Sequence, residues 1–106
     1  FKQLDMADYA KKSFGMFGGK EKTVKLLVDN RLAGVIIDRF GKDIMLIPAD
    51  ENHFTVNVDV HVSKQFLGWV FSLGEQVKIL SPEEVVEQMQ GEVKRLVEQY
   101  DSRVKV

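Results

Sequence analysis

The 106-residue chain predicts an α+β domain of ferredoxin-like βαββαβ topology: a four-stranded antiparallel sheet, with a short N-terminal helix and a C-terminal helix added. Three observations carry this. The stretch "HFTVNVDVHV" (53–62) alternates without a fault, as a half-buried strand must. Apolar residues recur at helical spacing before it and after it. Between the outer helices, the inner six elements read β-α-β-β-α-β, and right-handed crossovers then place both inner helices on one sheet face.

In order along the chain, Asp5 to Phe14 predicts a short helix with Met6, Tyr9, Ala10 and Phe14 on one side. Gly15, Gly18 and Gly19 break it. "TVKLLVD" (23–29) is a strand, and Asn30 is the expected cap of a helix "RLAGVIIDRF" that stops at Gly41. "DIMLIP" (43–48) is a short apolar strand closed by Pro48, and "ADEN" turns the chain into 53–62. In that strand Phe54, Val56, Val58, Val60 and Val62 share one face, and Thr55, Asn57, Asp59 and His61 share the other.

Ser63 is the expected N-cap of the next helix. Phe66, Trp69, Val70 and Leu73 fall at i, i+3, i+4 and i+7, and Gly74 ends the helix at C′. "QVKIL" (76–80) is the fourth strand. Ser81 as cap, Pro82 at the first helical position and Glu84 as capping-box partner predict a last helix to about Tyr100. Its stripe is Val85, Val86, Met89, Val93, Leu96, Val97 and Tyr100. The expected organisation is an N-terminal helix and Gly-rich linker over 1–22, the ferredoxin-like domain with its C-terminal helix over 23–100, and a tail over 101–106.

Composition narrows the chemistry. No Cys is present, which removes disulfides, thiolate metal sites and a thiol nucleophile. No apolar run approaches the ~20 residues of a membrane span. No signal-like leader stands at the N-terminus, and Phe1 is not an initiator Met, so a fragment of a longer polypeptide or a trimmed product is expected. The net charge of −1 argues against general nucleic-acid affinity. Residues 1–42 carry nine Lys/Arg against five Asp/Glu, and residues 43–106 six against eleven, so any basic face belongs to the first half.

"FGMFGGKEK" fails as a phosphate loop. Phe14 stands where the first Gly is needed, Glu21 follows the Lys, and a strand rather than a helix comes next. Asn57, Asp59 and His61 point one way from a strand, with His53 as the other imidazole, but a polar solvent face explains them and no metal site is expected. No nucleophile stands beside an oriented base, so no catalytic residue is assigned. RNA binding on the open sheet face would need aromatics there, and strand 53–62 supplies none on its wet face. The aromatic helix after Ser63 reads as core along Phe66, Trp69, Val70 and Leu73. Leu67 and Phe71 widen its apolar arc beyond one contact face and are the expected interface residues.

"IIDRFGKDIMLIP", then "FTVNVDVHVSKQFLGWVFSLGEQVKILSPEEV", then a helix ending near Tyr100, resembles the C-terminal part of WYL-domain transcriptional regulators. The resemblance spans about Asp5 to Tyr100 and is strongest at Arg39-Phe40-Gly41, Phe66 with Trp69, Gly74 and Pro82-Glu83. It identifies the chain as the C-terminal extension called WCX, whose fold is ferredoxin-like. The resemblance implies a bacterial, cytoplasmic regulator with an upstream winged helix-turn-helix and a WYL domain. The WYL domain would sense an effector such as a nucleotide or single-stranded nucleic acid, and the extension would serve a homodimer and the ligand cleft. It implies no enzyme activity and no cofactor. The Trp-Tyr-Leu tripeptide is absent, since Val70 and Phe71 follow Trp69, and no operator DNA binding is expected of this chain itself. For an anionic effector the expected contacts are Arg31 and Arg39, eight residues apart on the first inner helix, then His61 and Lys64 at the strand-to-helix corner. The alternative of another class is an ACT-like small-molecule-binding module of a metabolic protein, which shares the topology.

Overall fold

The computed structural model describes residues 20–101. The expected helix 5–14, the glycines after it and the residues beyond 101 lie outside the described residues. Four strands form one antiparallel sheet: β1 (Lys20–Asp29), β2 (Ile47–Pro48), β3 (His53–Val62) and β4 (Val77–Ser81). Their order is β2-β3-β1-β4, the arrangement that two split βαβ units produce. Among the described residues three α-helices accompany the sheet: α1 (Ala33–Phe40), α2 (Lys64–Ser72) and α3 (Glu83–Gln99).

The alternation of β3 sets the layers. Phe54, Val56, Val58, Val60 and Val62 are all buried, and Val24, Leu26 and Val28 of β1 lie in register beside them. Against this face pack Ile36 and Phe40 of α1, Phe66, Leu67 and Val70 of α2, and Val85 of α3. Each such side chain contributes roughly 1.5–3 kcal/mol on burial. Thr55, Asn57, Asp59 and His61 occupy the opposite, wetter face, where Asp59 accepts a hydrogen bond from the Thr23 hydroxyl.

Four local expectations are corrected. Strand β1 starts at Lys20 rather than at 23, because β3 offers ten paired positions and Lys20 to Lys22 lie opposite Val62 to Val60. Residues 20–22 therefore belong to the sheet and not to a linker. The first inner helix opens with a 3-10 turn, Asn30–Leu32, whose cap is Asp29 instead of Asn30. The Asp29 carboxylate accepts from the Arg31 N–H at 2.9 Å, while the Asn30 amide donates to the Glu51 carbonyl at 3.0 Å. Strand β2 shrinks to Ile47–Pro48: Ile44 and Leu46 turn toward the core, and Pro48 has no N–H to extend the ladder. At the last helix Ser81 is held by β4, opposite Lys25, so Pro82 is the cap residue and no capping box forms. Glu84 pairs with Lys22 instead, which holds its carboxyl below the ordinary range.

Other expectations hold. Ser63 caps α2 by accepting from the Phe66 N–H at 3.3 Å. Gly74 follows the helix at φ 66°, a left-handed position where a Cβ is penalised. A bulge between Lys25 and Leu26 in the β1–β4 pairing leaves Leu80 without an opposite residue.

Candidate functional site

The expected effector residues fall in three places. Arg31 sits in the 3-10 turn at the end of β1, its Nε and Nη2 donating to the two Asp29 carboxylate oxygens at 3.1 and 2.9 Å. These hydrogen bonds hold the Asp29 carboxyl down to about 2 and raise the Arg31 pKa. The Arg31 charge is thus matched within its own turn. Arg39, in the last turn of α1, lies over the Trp69 ring, 5.3 Å from its centroid. His61 and Lys64 share the corner between β3 and α2. Arg31 lies beside Asp29, which pairs with His53, so the length of β3 separates it from His61. His61 lies on the wetter face of the sheet and Lys64 lines the cleft between α2 and α3, and the length of β3 separates both from Arg31. The 3-10 turn also ends the simple helical relation expected between Arg31 and Arg39.

The metal-like set is equally dispersed. His53 contacts the Asp50 carboxylate at 2.9 Å at one end of β3, and His61 stands at the other. Among the described residues no group of three or more His, Cys, Asp or Glu side chains gathers where a metal ion would sit.

The aromatic helix is resolved by the contacts of Trp69. Its ring meets Phe40 edge-on at 5.7 Å and Phe66 at 6.2 Å, with Arg39 over it. Trp69 is half-buried and already stacked by its own chain, so it is no open ligand platform. The buried face of α2 is Phe66, Leu67 and Val70, with Trp69 and Leu73 at its margin. Leu67, an expected interface residue, is 5 % exposed and belongs to the core. Its correction has a simple cause: α3 adds a second wall beside α2, and Leu67 points between them. Phe71, the other expected interface residue, is 63 % exposed.

Phe71 is one end of an apolar surface. Val93 and Val97 on α3 and Tyr100 at its C-cap are 45, 63 and 77 % exposed. Between the two helices runs a cleft of about 140 Å³, lined by Leu67, Gly68, Phe71, Met89, Val93 and Leu96. A second cleft of about 350 Å³ continues it toward β4 past Val70, Val77 and Val86. Sequence reading placed these α3 residues on one stripe with Val85, Val86 and Met89 and did not say what covers each of them. The missed signal was length: seventeen helical residues extend about 25 Å, whereas the five residues of β4 extend about 17 Å. The C-terminal half of α3 therefore outruns β4, the strand it packs against.

These features define a ferredoxin-like α+β module with a helical face that is exposed among the described residues. The chain belongs to the WCX domain family, whose model matches residues 20–97. WCX domains are generally found as C-terminal extensions of WYL-domain regulators. No curated protein matches the chain.

Proposed function

We propose that this chain is the non-catalytic effector-sensing and dimerisation module of a WYL-type transcriptional regulator. The observation that carries the reading is the apolar face of Phe71, Val93, Val97 and Tyr100, in a chain whose family accompanies such regulators. A soluble monomer has no reason to keep four large apolar side chains together in water. A symmetric pair would cover them with the same patch from a second copy. For the sensing side the reading takes His61, at the end of β3, and Lys64, in the first turn of α2, as separate contacts for an anionic group held by the WYL domain. Arg39 serves the same response indirectly, through Trp69 and α2. An effector shifts the regulator only by the difference in its affinity for the two arrangements.

Sedimentation across a concentration series tests the reading. The mass of the wild-type chain rises from 12.1 kDa toward its double, and Val97→Glu holds it at the monomer. A wild-type chain that stays monomeric at the highest concentration contradicts dimerisation through this face.

A further inference from the structure

We propose that the polar cavity where the β1–α1 and α2–β4 connections meet is a binding site for a free α-amino acid, held by its ammonium at Glu75 and by its carboxylate at Arg31. The cavity measures about 710 Å³, ample for a small polar molecule, and all the residues that line it are among those described. It stands independently of the dimer reading.

Sheet pairing is the first reason. Asp29, the last residue of β1, lies opposite His53, the first of β3, and Val28 lies opposite Val77, the first of β4. The 3-10 turn that follows β1 (Asn30–Leu32) and the one that precedes β4 (Gly74–Gln76) therefore stand at the same end of the sheet. The first turn brings Arg31 to the cavity, the second brings Glu75 and Gln76, and the end of α2 brings Ser72. Side chains far apart in sequence thus line one space.

Charge is the second reason. Asp29 accepts from the Nε and Nη2 of Arg31, so one carboxylate already balances the guanidinium. Glu75 is a second carboxylate on the cavity wall. After Asp29, it helps through space to raise the Arg31 pKa, yet no ion pair joins it to Arg31. Among the described residues Glu75 has no hydrogen-bond or ion-pair partner. The last turn of α2 holds no basic residue, so the negative end of its dipole is uncompensated on this side. A cation is the charge that this wall takes.

Hydrogen-bonding capacity is the third. Among the described residues the Nη1 of Arg31 has no acceptor, and a guanidinium nitrogen bonds most strongly to an ionised one. The Asp50 carboxylate can only accept, so His53 donates its Nδ1 hydrogen to it at 2.9 Å, and the neutral ring keeps Nε2 as an acceptor. Gln76 adds a carboxamide oxygen. The cavity thus joins a donor for an anionic oxygen to several acceptors for an ammonium. An α-amino acid carries both groups on one carbon. A plain anion would meet the Glu75 charge, and a plain amine would leave the Arg31 Nη1 without an acceptor.

Amide-detected NMR of the wild-type chain, titrated to millimolar concentration with each of the common free L-amino acids, tests the proposal. The expected result is a saturable shift of the Arg31, His53 and Glu75 amides with at least one of them. For that amino acid, N-acetylation removes the ammonium and conversion to the amide removes the carboxylate charge. Each change weakens binding about tenfold or more, and so does Glu75→Gln. Glu98→Gln, outside the cavity, leaves the affinity unchanged, and the dispersed spectrum of each variant establishes that it is folded. The absence of a saturable shift at these amides with every amino acid overturns the proposal. Undiminished binding of the N-acetyl derivative, or an equal loss in Glu75→Gln and Glu98→Gln, overturns it as well. Inorganic phosphate that shifts these amides where the amino acids do not overturns it in favour of a simple anion site at Arg31.

Discussion

Trp69→Ala probes how the helices are tied to one another. A fully buried Phe or Trp cut to Ala costs about 3–5 kcal/mol. Trp69 is half-buried, so its hydrophobic share is smaller, and its named contacts fill the rest. The edge-on pair with Phe40 and the tilted pair with Phe66 contribute roughly 0.5–1.5 kcal/mol each beyond area. The guanidinium of Arg39 adds roughly 0.5–1 kcal/mol. Part of this is recovered by water entering the vacated margin, and a net loss of about 2–3 kcal/mol is expected. Urea melts followed by far-UV circular dichroism measure it, because the substitution removes the chain's single Trp and with it the fluorescence signal. A cycle with Arg39→Ala should return a coupling of about 0.5–1 kcal/mol. A loss below about 1 kcal/mol, or a vanishing coupling to Arg39, would refute the claim that Trp69 is stacked within its own chain.

Other outcomes follow from the caps and ion pairs. In carboxyl-detected NMR, Asp29 should titrate at about 2, and Arg31→Ala should move it back toward 3.8. Because its folded pKa is the lower one, its contribution is complete above 3.8 and is lost as pH falls through about 2; a midpoint unmoved by Arg31→Ala would exclude the pairing. Ser63→Ala, which removes the α2 cap, should cost about 1 kcal/mol in urea melts, with Ser63→Asp restoring most of it.

How much of this was legible in the sequence depended on how local the signal was. Strand β3 was read with correct ends, since alternation over ten residues leaves one register with the valines inside. Ser63 and Gly74 were read correctly because a cap and a C′ glycine act within one turn of their own position. The caps of α1 and α3 were misread where two neighbours compete for one role. Asp29 displaced Asn30 because Arg31 could clamp it from both sides, and Ser81 was drawn into β4 by Lys25 across the sheet. Leu67 was misplaced because periodicity fixes the width of an apolar arc but not the neighbour that covers each edge. The position of α3 beside α2 settled that, through contacts remote in sequence. Of the effector residues, Arg31 has its partner Asp29 only two residues away, within reach of sequence reading, whereas the Trp69 partner of Arg39 depended on tertiary placement.

The central claim is that the face running from Phe71 to Tyr100 works as a contact surface, and hydroxyl-radical footprinting across a concentration series tests it most directly. Met45 is 72 % exposed and precedes β2, at the sheet edge opposite β4, so it serves as the internal reference. The account predicts that Val97 and Tyr100 lose reactivity relative to Met45 as concentration rises, and that Val97→Glu abolishes the protection of Tyr100. Constant relative reactivity of Tyr100 and Val97 from the most dilute to the most concentrated sample would contradict it.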